Sequence, residues 1–199
     1  LSAVPKIVQN AFIAAEDQNF FTNQGVDLKG TLRAARNNFM HAGQGRSMAG
    51  GSTITQQVVK NFLLSPEKSF ERKIKEAILA YRISKTYSKE KILELYLNEI
   101  YLGQGTYGVA AAGLNYFNKS LDALTTEEVA LLAAMPKAPA AFDPGKNYKR
   151  ALERRNYVIG RMREDGYIDA AEEARARATP IVTRSRNAEE VANADFFAE

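Results

Sequence analysis

Apolar residues recur at helical spacing along most of this chain. Ile7, Val8, Ala11, Phe12 and Ala15 share one face and predict a first helix ending near Glu16-Asp17. Asp27 is placed to cap a second, with Leu28, Leu32, Ala35 and Phe39 along one side. The segment from Asn37 to Gly51 holds four glycines and little periodicity, which predicts a mobile loop. Ile54, Val58, Val59 and Phe62 then mark a third helix, opened by a Thr53/Gln56 capping box. Ser65-Pro66 offers a cap and an N1 proline for a fourth, expected to carry Phe70, Ile74, Ile78 and Tyr81 inward.

Ser88 caps a fifth helix with Ile92, Leu93, Tyr96, Leu97 and Ile100 on its apolar side, stopped by Gly103. Small residues from Gly108 to Gly113 suggest a closely packed sixth. Thr125 and Glu128 form another capping box before Val129-Ala130-Leu131-Leu132, and Pro136 ends that run. Asn147 to Asp165 reads as a basic amphipathic helix closed by Gly166. Only Pro180-Ile181-Val182-Thr183 looks like a strand. The fold class is therefore mainly α.

At 199 residues with a 45% hydrophobic share, the chain suits one large domain with a real core. A net charge of +4 favours an anionic partner without choosing among nucleic acid, membrane surface and phosphorylated substrate. With no cysteine and His41 the only histidine, thiolate chemistry and multi-histidine zinc sites are excluded. No apolar run approaches the roughly 20 residues of a membrane helix. Because the chain opens at Leu1-Ser2-Ala3, it reads as a piece of something longer, with any anchor lying upstream.

Three patterns carry candidate chemistry. Gly50-Gly51-Ser52-Thr53 leads into a helix whose first-turn N–H groups are expected to be free for an anion, unless this is an ordinary hinge before a capped helix. Lys68, Arg72 and Glu76 recur every four residues opposite Phe70 and Ile74, with Lys73 bordering them. Such a stripe is commonly a solvated face, but here base precedes acid, the weaker order for helix pairing. With Lys60 nearby it gathers up to four cations around one carboxylate, a grouping suited to pyrophosphate, with or without a divalent metal at Glu76. Glu16-Asp17, beside Phe20 and Phe21, is either a surface acid pair or a carboxylate made basic by desolvation.

Together these segments resemble the peptidoglycan glycosyltransferase family, the lysozyme-like family 51 domain of class A penicillin-binding proteins and of monofunctional transglycosylases. The family's first motif, Glu-Asp-x-x-Phe-x-x-His-x-Gly, appears as Glu16-Asp17-Gln18-Asn19-Phe20-Phe21-Thr22-Asn23-Gln24-Gly25. The second spans Gly50 to Asn61, and the third is Arg72-Lys73-Ile74-Lys75-Glu76. The fourth runs from Ile92 to Asn98 and on through Tyr101-Leu102-Gly103. The fifth resembles Glu128 through Pro136-Lys137-Ala138-Pro139, followed by Arg154-Arg155-Asn156-Tyr157-Val158.

The resemblance implies a lysozyme-like two-lobed helical domain with a small mobile jaw over residues 1–178, and the start of a linker over 179–199. It implies polymerisation of lipid II into β-1,4-linked glycan with release of undecaprenyl pyrophosphate. Glu16 would serve as general base. Glu76 with Lys60, Lys68, Arg72 and Lys73 would handle the pyrophosphate, helped by Asp17, Ser52, Gln57 and Asn61. A divalent cation, Mg or Mn, at Glu76 fits the same picture, with no organic cofactor. Implied partners are lipid II, the growing glycan, the membrane surface and moenomycin-type inhibitors, at the outer face of the cytoplasmic membrane; nucleic acid is not among them.

Two departures stand out: Asn23 replaces the motif histidine, and Lys68 stands where relatives often carry arginine. Three rival readings are a lysozyme-like glycan-cleaving enzyme, a non-catalytic helical scaffold, and a nucleic-acid-binding module. The last would use Lys146, Lys149, Arg150, Arg154, Arg155, Arg161 and Arg163.

Overall fold

The computed structural model describes residues 1–27, 30, 51–63 and 69–184. Among these, eight α-helices are formed: α1 Lys6–Glu16, α2 Ile54–Leu63, α3 Phe70–Thr86, α4 Lys89–Glu99, α5 Val109–Phe117, α6 Thr126–Ala134, α7 Tyr148–Glu164 and α8 Ala170–Ala178. The described residues contain no strand, only an isolated antiparallel bridge between Tyr101 and Tyr107. The mainly helical class holds.

Local chemistry sets most helix starts. Ser88 accepts from the Lys91 N–H at 3.2 Å, and Thr125 with Glu128 closes a capping box on α6. Gln56 accepts from the Thr53 N–H and donates its own N–H back to Thr53 Oγ1, so the α2 capping box is present too. The Gly30 N–H donates to Asp27 Oδ1 at 2.8 Å, the bond an N-cap makes. The rest of the expected second helix, the loop at 37–50, the Ser65-Pro66 start and the tail at 185–199 lie outside the described residues. The cap that starts α3 is Ser69, which accepts from the Arg72 N–H.

α6 is the hub of the larger group of helices. Val129 to Ala134 are all buried, and the helix packs against α1, α5, α7 and α8. A helix apolar on every side belongs inside such a group. α4 packs on both α5 and α2, and α3 reaches the body through α2. Gly25 makes the turn that α3 crosses: its φ is +86°, and a Cβ there would sit 2.3 Å from the Ala80 carbonyl oxygen.

Two expectations fail. α3 turns its polar stripe inward, burying Glu76 and Ala80, and leaves Ile74, Ile78 and Tyr81 47–49% exposed. Apolar spacing marks a face but cannot say which face finds a partner. The segment 180–184 is not a strand: the Ile181 N–H donates to the Tyr148 hydroxyl and the Arg184 N–H to the Tyr116 carbonyl, so no neighbouring strand is offered. α8, started by Asp169 accepting from the Glu172 N–H, is a helix the periodicity did not show.

Candidate active site

Three helices converge on Glu16. It is the last residue of α1, and its side chain is 6% exposed. Gln57 of α2 donates from Nε2 to Oε2 at 2.8 Å, and Arg154 of α7 approaches Oε1 at 3.4 Å. Burial raises the carboxyl above its ordinary range, while Arg154, the Gln57 bond, Lys137 and Lys60 pull in the opposite direction. The result is a carboxylate fixed in position, poorly hydrated and more basic than a surface glutamate. Those are the properties a general base requires.

Arg154 is itself fully buried, held between the rings of Tyr157 at 4.8 Å and Phe142 at 5.9 Å. Lys137 lies within electrostatic reach of both Glu16 and Arg154. Desolvation first, then the arginine's charge, bring its ammonium down to about 8. Tyr96 is buried alongside, and its hydroxyl finds no partner among the described residues.

Reading the residues singly missed Arg154 and Lys137 as site groups, although both lie in the fifth motif. The signal was present in the spacing. Ala151, Arg154, Arg155, Val158, Ile159 and Met162 fall on one helical face, and all are buried. Arg155 turns elsewhere, donating to the Thr179 carbonyl at 2.7 Å and to the Arg177 carbonyl. A nucleic-acid-binding face on α7 therefore loses two of its seven cations to the interior.

Asp17 faces away from Glu16's partners. Its carboxylate accepts from the Ile54 N–H at 3.1 Å and from Asn23 Nδ2 at 2.9 and 3.1 Å. Burial, only partly offset by those bonds, raises it to about 6. This corrects the expectation of free donors at the start of α2. The N–H groups of Thr53, Ile54 and Gln56 are all taken, one of them by a carboxylate 37 residues away in sequence. The anion at this helix terminus is the protein's own.

A second cluster sits between the glycine-led loop and α3. Lys73 donates from Nζ to Ser52 Oγ at 2.9 Å and pairs with Glu76, which is buried. Arg72 is half-buried one position earlier. Lys60 and Asn61 are exposed near the end of α2, and Lys60 is near enough to act on Glu16. Lys68 lies outside the described residues. So Ser52, Lys73 and Glu76 are joined directly, and Glu16, Gln57 and Arg154 form the other group. No three His, Cys, Asp or Glu side chains group as a metal site among the described residues.

The chain matches the family model described as Transglycosylase over residues 1–163. It belongs to the transglycosylase family. It is 55% identical to penicillin-binding protein 1A of Rickettsia bellii, an alignment covering all of this chain and 25% of that protein. To penicillin-binding protein 1A of Aquifex aeolicus it is 49% identical, covering 94% of this chain and 25% of that one. The crystal structure of penicillin-binding protein 1A from Haemophilus influenzae aligns at a TM-score of 0.49 and 35% identity, over 73% of this chain and 20% of that chain. The transglycosylase chain thus spans a quarter of the length of these two curated relatives.

In this transglycosylase Asn23 occupies the motif's histidine position with all its polar atoms engaged. Besides holding Asp17, its Oδ1 accepts from the Gly25 N–H at 3.0 Å and from Lys89 Nζ at 3.1 Å. An amide, donor and acceptor at once, joins Asp17 to a cation without a titrating group.

Proposed function

We propose that this transglycosylase domain is a peptidoglycan glycosyltransferase that polymerises lipid II. The observation that carries the reading is the buried Glu16, raised by desolvation and oriented by Gln57 and Arg154. Glu16 takes the proton of the acceptor's 4-hydroxyl as that oxygen bonds to the donor's C1. The bond from C1 to the pyrophosphate oxygen breaks, and its electron pair leaves with undecaprenyl pyrophosphate. Lys73, Arg72, Lys60 and Lys68 supply positive charge where that leaving group develops its own. A cleaver of glycan has no such leaving group and no use for those cations.

A divalent cation, Mg or Mn, enters this picture only with substrate. Glu76 offers one carboxylate, already paired with Lys73, so pyrophosphate oxygens would provide the remaining ligands. The exposed apolar residues Ile74, Ile78 and Tyr81 of α3, with Phe62 and Leu63 at the end of α2, suit contact with the membrane surface that holds the lipid. No described helix is long and apolar enough to cross a membrane. The reading places the domain at the outer face of the cytoplasmic membrane, where moenomycin-type phosphoglycolipids would compete at the cation cluster.

Incubation with purified lipid II, followed by muramidase digestion of the product, tests the reading. Polymer that collapses to disaccharide-peptide units is expected. Absence of polymer under conditions where lipid II is dispersed would overturn it.

A further inference from the structure

Between α4 and α5 the chain folds a short hairpin that serves no role in the chemistry above. Leu102 donates to the Thr106 carbonyl, Thr106 to the Gly103 carbonyl and Gly108 to the Ile100 carbonyl, each at 2.9 Å. The turn places Gly103, Gln104 and Gly105 at positive φ, and Gln104, at +50°, does so with a side chain. The base is locked from behind. The Tyr116 hydroxyl donates to the Leu102 carbonyl, and a Cβ at Gly108 would meet the Asn98 carbonyl oxygen at 2.3 Å. This constrained backbone presents two large rings to solvent. Tyr101 and Tyr107 are 39% and 60% exposed, their centroids 4.9 Å apart at 44°.

We propose that Tyr101 and Tyr107 form a platform for the glycan strand, a saccharide-binding subsite remote from the reacting bond. The inference rests on the glycosyltransferase reading for its ligand. Three observations favour a sugar chain. First, the backbone carrying the rings is held by its own hydrogen bonds and the rings lie against each other, so stacking a pyranose on them sacrifices little conformational freedom. Second, amide and carboxylate groups lie at the turn beside them. Gln104 donates to Asp143 at 3.4 Å and accepts from Asn115 at 3.3 Å, long bonds that hydroxyls can replace or join. A β-1,4-linked pyranose has this pairing of surfaces, an apolar C–H face and a polar rim.

The third observation is placement. The hairpin rests on the segment 137–143: Gly103 lies against Pro139, and Gln104 against Asp143. That same segment begins with Lys137, beside Glu16. Six residues span at most about 20 Å, so the hairpin and the base are tied to the two ends of one short segment.

The test uses a soluble β-1,4-linked N-acetylglucosamine oligomer titrated into the full chain, followed by NMR of the tyrosine rings. Saturable shifts at Tyr101 and Tyr107 are expected, with affinity about fivefold weaker in Tyr107→Ala. In the lipid II reaction, Tyr107→Ala should give shorter glycan strands, and Tyr107→Phe should restore the parent length. Should the alanine variant fail to fold, Tyr107→Leu carries the comparison, because it keeps apolar bulk without a ring. Oligomer binding does not depend on polymerisation, so it can succeed or fail separately from the proposed activity. Three outcomes would overturn the platform: no saturable ring shifts, unchanged strand length in the ring-less variants, or burial of both rings by the remainder of a longer protein.

Discussion

Arg154 lies on the helix that reads as basic and amphipathic, yet its guanidinium is buried 3.4 Å from Glu16 Oε1. The pair resolves two difficulties at once. A buried carboxylate without a cation would stay protonated, and a buried guanidinium without an anion would be costly. Arg154 also repels Lys137, so, after burial, one side chain acts on the proton affinity of both neighbours.

Arg154→Met therefore raises the proton affinity of both neighbours. Losing the arginine removes a lowering influence on Glu16, so the acid limb, where the base protonates, shifts to higher pH. It also removes the repulsion on Lys137, so that ammonium, at about 8 in the parent, holds its proton to higher pH. A kcat/KM profile measured on lipid II checks this. Arg154→Lys, which keeps the charge, should stay nearer the parent profile.

Glu16→Gln keeps the shape of the side chain and a partner for Arg154 but cannot accept a proton. Polymerisation should fall by about a hundred- to ten-thousand-fold. Thermal melting and donor binding should stay close to the parent. A variant running at more than half the parent rate would identify Glu16 as the wrong base.

Lys60→Ala and Lys73→Ala should weaken moenomycin more than a phosphate-free glycan. Lys73→Ala should also lower the melting temperature, because Glu76 is buried and loses its ion partner. Lys60 is exposed, and its replacement should leave stability within about 0.5 kcal/mol. Calorimetric titration of both ligands separates recognition of phosphate from a role in shape.

Asp17 makes stability depend on pH. Its folded value of about 6 lies above 3.8, so the folded chain holds this proton more tightly. Its contribution is greatest below about pH 4 and is lost as pH rises through 6, by roughly 3 kcal/mol. Comparing denaturant unfolding of the parent and Asp17→Asn from pH 4 to 7 isolates it. The parent should lose stability relative to the variant across that window.

Replacing Ile78 and Tyr81 together with serine should reduce sedimentation with phospholipid vesicles. It should also slow polymerisation of membrane-embedded lipid II more than reaction of a short-chain soluble analogue. Both residues are half exposed, so the melting temperature should barely move.

What could be read without the structure was local. Ser88, Thr125 with Glu128, and Thr53 with Gln56 start their helices through bonds spanning three residues, and spacing alone placed Ile92, Leu93, Tyr96 and Leu97 in the core. The motifs singled out Glu16, Glu76 and the cations as candidates, because residue type and order survive without coordinates.

Tertiary structure decided everything that depends on a partner distant in sequence. The inward face of α3 is polar because α2 lies against it, so apolar spacing at Ile74 and Ile78 pointed the wrong way. The α2 terminus is filled because the chain brings Asp17 to Ile54, and Pro180 to Thr183 form no strand because their backbone meets side chains and loops instead. Arg154 meets Glu16 only because α1 ends where α7 passes. A side chain's periodicity determines which neighbours share its face; only the packed fold determines what that face meets, and with it charge, hydration and proton affinity.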